Sequence, residues 1–271
     1  MSISKAIEIL KNAEALIIYS GAGMSHPSGL STFRGKSGFY ELPVKGKSYT
    51  FESLVNPYSL QEEPEIVLGF YGRRLNNYKE TTPHSGYSKL LEYANSLKYG
   101  YFSVTTNIDG HFEKAGFSPS QIHEPHGSIH HFQCSSQHCA SKNGLINPPV
   151  IEIDENNMAT NIDSLKCAHC GKLLRPNVMM FNDYDFSHKK ERVQASRYNA
   201  FIQDLYEKNI KVAILEIGAG NAIPTMRIES AREAKRFSTN VIRINVEPDN
   251  DYSVLLIAED AKTALSRILP N

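Results

Sequence analysis

The sequence carries no surplus of either charge. Lys+Arg and Asp+Glu are both 29 in 271 residues, so the formal net charge is zero with histidine neutral. That balance argues against a surface that holds nucleic acid or anionic lipid by charge alone. Long apolar runs are also missing, and none approaches the ~18–20 residues that cross a bilayer. At the N-terminus Lys5, Glu8, Lys11 and Glu14 break up what a signal peptide would need as its apolar core, so none is expected there. Cysteine is scarce, with four in the chain. A chain without an export signal is expected in the reducing cytoplasm, where close cysteine pairs hold metal more often than they form disulfides. What remains, 41% hydrophobic and 21% charged residues, is the composition of an ordinary globular protein with one large domain or two small ones.

Apolar periodicity predicts a first helix with Ile3, Ile7 and Leu10 on one face. Four short apolar runs read as buried strands: 15–19, 101–105, 212–217 and 240–245. They end respectively in Gly21-Ala22-Gly23, Thr106-Asn107-Ile108-Asp109-Gly110, Gly218-Ala219-Gly220 and Val246-Glu247-Pro248, and all but the last run into a plausible helix. Strands alternating with helices imply a parallel sheet covered on both faces, with ligands bound beyond the carboxyl ends of the strands. The polar, glycine-containing segments fall at those ends, which places a nucleotide site there. Two stretches break the pattern. Residues 41–83 lack strand signals and hold a helix beginning near Pro64, and residues 131–178 contain every cysteine. Both read as insertions forming a smaller module.

Glycines in Gly21-Ala22-Gly23-Met24-Ser25, placed at a strand-to-helix turn, let the backbone approach a pyrophosphate. His26 stands where a full dinucleotide fingerprint needs a third glycine, and a simple tight turn has the same pattern. Cys134-x4-Cys139 and Cys167-x2-Cys170 have the spacing of two knuckles of an all-thiolate zinc site, closed to water and therefore structural. His138 and His169, inside the knuckles, are competing ligands. His126 lies in a histidine-rich segment, His123 to His131, where it reads as a general base or an ordinary loop histidine. On the helix after Pro64, Tyr71 and Arg74 are neighbours at i, i+3. Such an arginine either snorkels to the surface or binds a carboxylate in a pocket.

Together these segments resemble the sirtuin family of NAD-dependent protein deacylases over nearly the whole chain. The motifs that carry the resemblance are Gly21–Ser25 with Ser28-Gly29-Leu30-Ser31-Thr32-Phe33-Arg34-Gly35, then Thr105–Gly110, His126-Gly127, the cysteine pairs, Arg175-Pro176-Asn177-Val178-Met179-Met180-Phe181, Gly218-Ala219-Gly220, Asn245–Pro248 and Asp260-Ala261. The resemblance implies a Rossmann-like parallel sheet with helices on both faces, built from residues 1–40, 84–130 and 179–271. Residues 41–83 and 131–178 then form a small helical and zinc-ribbon module. NAD is implied to lie against Gly21, Ala22, Gly23, Ser25, Phe33, Arg34, Thr106, Asn107, Ile108, Asp109, Gly218, Ala219, Gly220, Asn245, Val246 and Ala261. One zinc would sit on Cys134, Cys139, Cys167 and Cys170. An acyl-lysine protein or peptide would meet Tyr71, Arg74, Val178, Met179 and Phe181. Asp109 and the Ile108 backbone would hold the nicotinamide carboxamide, and Asn107 the ribose or a water. The acyl oxygen then attacks the ribose carbon as nicotinamide leaves, and His126 serves as base on a ribose hydroxyl. The products are lysine and O-acyl-ADP-ribose.

Thr32, Thr106, Ala219-Gly220 and Asn182-Asp183 depart from the family pattern, which bears on ribose contacts, cofactor affinity and peptide docking. Tyr71-x-x-Arg74 resembles sirtuins that accept acidic acyl groups, so succinyl or malonyl removal is expected beside deacetylation. A mono-ADP-ribosyltransferase and an NAD glycohydrolase use the same pocket but have less need of His126. A non-enzymatic NAD sensor would leave Asn107, Asp109 and His126 surplus.

Overall fold

The computed structural model describes residues 2–32, 42–44, 47–141, 144–247, 251 and 253–270. In chain order the elements begin with α1 (Ser2–Asn12), β1 (Ala15–Ser20), β2 (Leu42–Val44), β3 (Lys47–Tyr49), α2 (Phe51–Leu54) and α3 (Pro57–Glu62). Next come α4 (Pro64–Glu80), α5 (Ser85–Ser96), β4 (Tyr101–Thr105), α6 (His111–Lys114), β5 (Ile122–His123), β6 (Gly127–Cys134) and β7 (Leu174–Val178). The chain closes with α7 (Lys189–Glu207), β8 (Val212–Ile217), α8 (Thr225–Arg236), β9 (Val241–Ile244), β10 (Leu255–Ile257) and α9 (Ala261–Ile268).

Six strands form one parallel sheet in the order β10-β9-β8-β1-β4-β5. Strand β1 is buried along its whole length because both faces are covered. Its period-2 alternation divides it: Leu16 and Ile18 pack with Leu10, Leu90 and Leu265 under α1, α5 and α9. Ala15, Ile17 and Tyr19 pack with Tyr198, Ile202 and Leu205 under α7 and α8. The chain leaves β1 towards β4 on one side and later builds β8, β9 and β10 on the other. β1 is therefore the switch point where a crevice opens beyond the strand ends.

A third core lies beside the sheet. Leu54, Val67, Leu68, Tyr71 and Leu75 from the 51–75 region meet Ile129, Phe132, Leu165 and Val178. Thr50 and Asn56 cap α2 and α3 through side-chain oxygens that accept the Ser53 and Ser59 amides, and Pro64 starts α4 at a position that needs no N–H donor. Antiparallel β6 and β7 carry Cys134 and lead out of the Cys167–Cys170 knuckle.

The structure corrects several expectations. The 41–83 stretch contains the antiparallel pair β2–β3, too short to show alternation. Strands β5 and β10, two and three residues long, extend the sheet for the same reason unseen. After β1 the chain makes two 3₁₀ turns, Ala22–Met24 and His26–Ser28, instead of an α-helix. Pro27 removes one helical donor and Gly29, at φ 92°, ends the second turn in the left-handed region.

Candidate active site

A cleft of about 670 Å³ opens where β1, β4, β8 and β9 end. Gly21 and Ala22 come from the first of these ends, and Thr106, Asn107 and Ile108 from the second. Gly218 and Gly220 follow β8, and Asn245 and Val246 follow β9. The opposite wall is Tyr71 and Arg74 of α4 with Val178, Met179 and Phe181, and His126 faces the same space. The two glycine loops touch backbone to backbone: the Gly23 amide donates to the Gly218 carbonyl at 3.1 Å. A Cβ on Gly23 would stand 2.6 Å from the Gly218 Cα, and Gly218 itself has φ 62°, so neither position admits a side chain.

Behind the Thr106–Ile108 wall lies a buried polar relay. The Asn107 amide nitrogen donates to the Gly21 carbonyl at 3.0 Å and to Ser25 Oγ at 3.2 Å. Ser25 Oγ donates to Asp109 Oδ2 at 2.6 Å and meets the Tyr87 hydroxyl at 2.9 Å. The other Asp109 oxygen accepts the His111 amide at 2.9 Å. Ser25 Oγ thus ties the Tyr87 hydroxyl and the Asn107–His111 segment to one another, and burial, with Asp109 nearby, drives the Tyr87 hydroxyl well above its ordinary pKa.

His126 is half-buried at the mouth of β6. Its carbonyl accepts the Met179 amide at 3.0 Å, which ties it to the strand end across the cleft. Gly127 at φ 76° makes this possible, since a Cβ there would lie 2.0 Å from the Asn177 carbonyl oxygen. Burial lowers the imidazole pKa below the usual 6.5, with an opposing contribution from the Thr106 backbone. A neutral ring at pH 7 is suited to accept a proton.

On the α4 wall, the buried Arg74 guanidinium lies 3.6 Å from the centroid of the Phe70 ring. Burial lowers its pKa, while Tyr78 and Tyr71 favour the charged form. Tyr78, hydrogen-bonded to Arg74, is pushed up to about 12 by burial. The Tyr71 hydroxyl is fully buried and has no hydrogen-bond partner among the described residues. Tyr71 and Arg74 line the cleft beside the apolar Phe51, Val55 and Ile108 and give that wall a buried hydroxyl and a guanidinium.

The four cysteine sulfurs lie within 4.8 Å of one another. Cys134–Cys170 and Cys139–Cys167 are 3.5 and 3.8 Å apart, near the ~3.8 Å edge that Zn–S bonds of ~2.3 Å give a tetrahedron. The sulfurs therefore fit one zinc. Neither His138 nor His169 belongs to the cluster.

Not every residue singled out in the sequence reaches the cleft surface. Phe33 and Arg34 lie outside the described residues. Gly23, Ser25, Asp109 and Ala219 stand directly behind the wall. Ala261, the first residue of α9, is 2% exposed and packs in the core under the sheet. Conversely, Phe51, Val55, Phe70, Asn221 and Ile223 line the cleft without having been singled out. They belong to segments of ordinary apolar or loop composition, and only folding shows which face they present.

Comparison with known proteins agrees with this architecture. The model of the Sir2 family matches residues 21–203. The chain is 30% identical over 189 residues to an NAD-dependent protein deacylase of Daphnia pulex, covering 65% of this chain and 66% of that one. It is 28% identical over 251 residues to an NAD-dependent protein deacylase of Leptospira interrogans, covering 93% and 88%. The match thus spans just under two thirds of the first of these relatives. Among solved structures, a Sir2 homologue in complex with NAD has a TM-score of 0.69 at 21% identity, covering 98% of this chain and 92% of the other. The chain belongs to the Sir2 family.

Proposed function

We propose that this protein is an NAD-dependent protein lysine deacylase that removes acidic acyl groups, succinyl or malonyl, at least as well as acetyl. The observation that carries the reading is that one cleft joins the two glycine loops, His126 and the Tyr71/Arg74 pair. NAD supplies a glycosidic bond whose nicotinamide is the leaving group. The glycine loops offer backbone close to a diphosphate, and Asn245 stands beside them. Asn107 and Asp109, held by Ser25, fix the pocket floor where a carboxamide and a ribose would lie. Neutral His126 takes a proton from a ribose hydroxyl. Arg74 and Tyr71 together receive a distal carboxylate by charge-assisted and hydroxyl hydrogen bonds, which an acetyl group cannot use. The zinc, one per chain, holds β6 and β7 in register, and four thiolates leave it no open position for water. The reading carries a reducing, cytoplasmic setting, supported by four cysteines clustered as metal ligands.

The test is NAD with matched acetyl-, malonyl- and succinyl-lysine peptides, followed by mass spectrometry. Expected products are free lysine, nicotinamide and O-acyl-ADP-ribose, with the acidic acyl peptides turned over at least as fast. ADP-ribose formed without any peptide requirement, or ADP-ribose attached to a protein side chain, would overturn the proposal in favour of a glycohydrolase or transferase.

A further inference from the structure

The loop after β8 presents four consecutive residues, Gly220 to Ile223, to the cleft. None of the amides of residues 219–223 donates to an acceptor among the described residues. The Ala219 carbonyl, by contrast, is saturated: it accepts Arg227 Nε at 3.1 Å, Arg227 Nη2 at 3.0 Å and Asn245 Nδ2 at 3.0 Å. Arg227 reaches back from the first turn of α8, its side chain only 11% exposed. Beneath it lies Glu216, fully buried in β8, which accepts Arg243 Nε and Nη2 at 2.6 and 3.0 Å and Ser230 Oγ at 2.6 Å. The Arg227 Nε is 4.0 Å from the same carboxylate.

We propose that Arg227 is a positioning residue for the dinucleotide loop: by pinning the Ala219 carbonyl inward, it turns the loop amides into an anion cradle for the diphosphate of NAD. The physical link is the planarity of the peptide unit. In a trans peptide the carbonyl and the next N–H point in opposite directions, so fixing Ala219 C=O towards α8 aims Gly220 N–H the other way. Within residues 219–223 only Asn221 has a polar side chain and none carries a hydroxyl or charge, so the backbone amides are the main donors the loop can offer an anion. The α8 N-terminus adds its partial positive charge behind them. Glu216 keeps its two-pronged partner Arg243 when Arg227 is changed, so the fold is expected to tolerate the substitution.

The inference rests on the NAD reading above, and its test separates the two. Arg227→Gln and Arg227→Lys are compared with wild type for KM of NAD, KM of acyl-peptide, kcat and apo melting temperature. ADP-ribose binding is measured in parallel by calorimetry. For Arg227→Gln the expected result is an NAD KM and an ADP-ribose dissociation constant each raised about tenfold, the scale of a lost charged hydrogen bond. Peptide KM, kcat and melting temperature should stay near wild type, and Arg227→Lys should recover part of the affinity. Unchanged ADP-ribose affinity in Arg227→Gln would overturn the proposal, as would equal losses in peptide KM, kcat and melting temperature. Wild type that binds ADP-ribose but turns over no acyl-peptide refutes the deacylase reading and leaves the binding comparison standing; wild type that binds no ADP-ribose overturns both.

Discussion

Arg175 and Asp183 form an ion pair sealed from solvent beneath the end of β7, with Nη1 and Oδ1 3.0 Å apart and side-chain exposures of 1% and 0%. The pair shapes the cleft wall. Arg175 also donates to the Val178 carbonyl, and Asp183 accepts the amides of Met180 and Asp185 at 3.1 Å each. Asn182 turns the corner at φ 54°, a conformation that asparagine tolerates better than most side chains. Asn182-Asp183 therefore forms a left-handed turn followed by a buried carboxylate. Asp183→Ala leaves a buried guanidinium uncompensated and should cost about 3–5 kcal/mol in urea denaturation.

The proposed base role of His126 requires a neutral imidazole. Because burial lowers its pKa from 6.5, the acid limb of kcat/KM should fall below 6.5, with activity lost as pH drops through the folded-state value. His126→Ala should lower kcat by about 10²–10⁴ and remove that limb from the pH–rate profile.

Arg74 is asked to read a carboxylate. Arg74→Met keeps an unbranched side chain of similar reach but removes the charge from above Phe70. The kcat/KM on succinyl peptide should fall by roughly 10²-fold, the scale of a lost charge-assisted bond at 1.5–3 kcal/mol, and that on acetyl peptide by much less. Equal losses on both peptides would remove acidic acyl recognition from the function.

Metal analysis should find one zinc per chain. Its removal by a strong chelator should free four thiols and lower the melting temperature, because the metal ties both knuckles to one point. Cys167→Ala should mimic chelation.

Stability should decline in mild acid. Burial lowers the pKa of His84, His111, His126 and His131 below the 6.5 they have when unfolded. Between the folded and unfolded values the unfolded chain binds more protons, so this stability is complete above 6.5 and is lost as pH falls below it. His111 is the sharpest case, fully buried with neither ring nitrogen hydrogen-bonded among the described residues. His111→Leu should raise stability by about 1–3 kcal/mol at pH 6 and flatten the pH dependence of the melting temperature.

Local chemistry in the chain already determined the sheet strands β1, β4, β8 and β9, α1, α4 and the cysteine knuckles, but not the eight-residue β6, whose histidine-rich segment carries no strand pattern. Runs such as Val212–Ile217 fit strands covered on both faces, and two close thiol pairs at knuckle spacing fit one metal. The glycines of both loops were likewise legible, because a backbone-to-backbone contact such as Gly23–Gly218 excludes every side chain. Tertiary structure alone decided which carboxylate Arg175 meets, that Ser25 links Tyr87 to Asp109, and that Arg227 reaches Ala219. It also decided that the short β2, β5 and β10 pair at all. Such contacts join positions whose separation along the chain carries no periodic signal, and strands of two or three residues are stabilised by their neighbours and not by their own pattern.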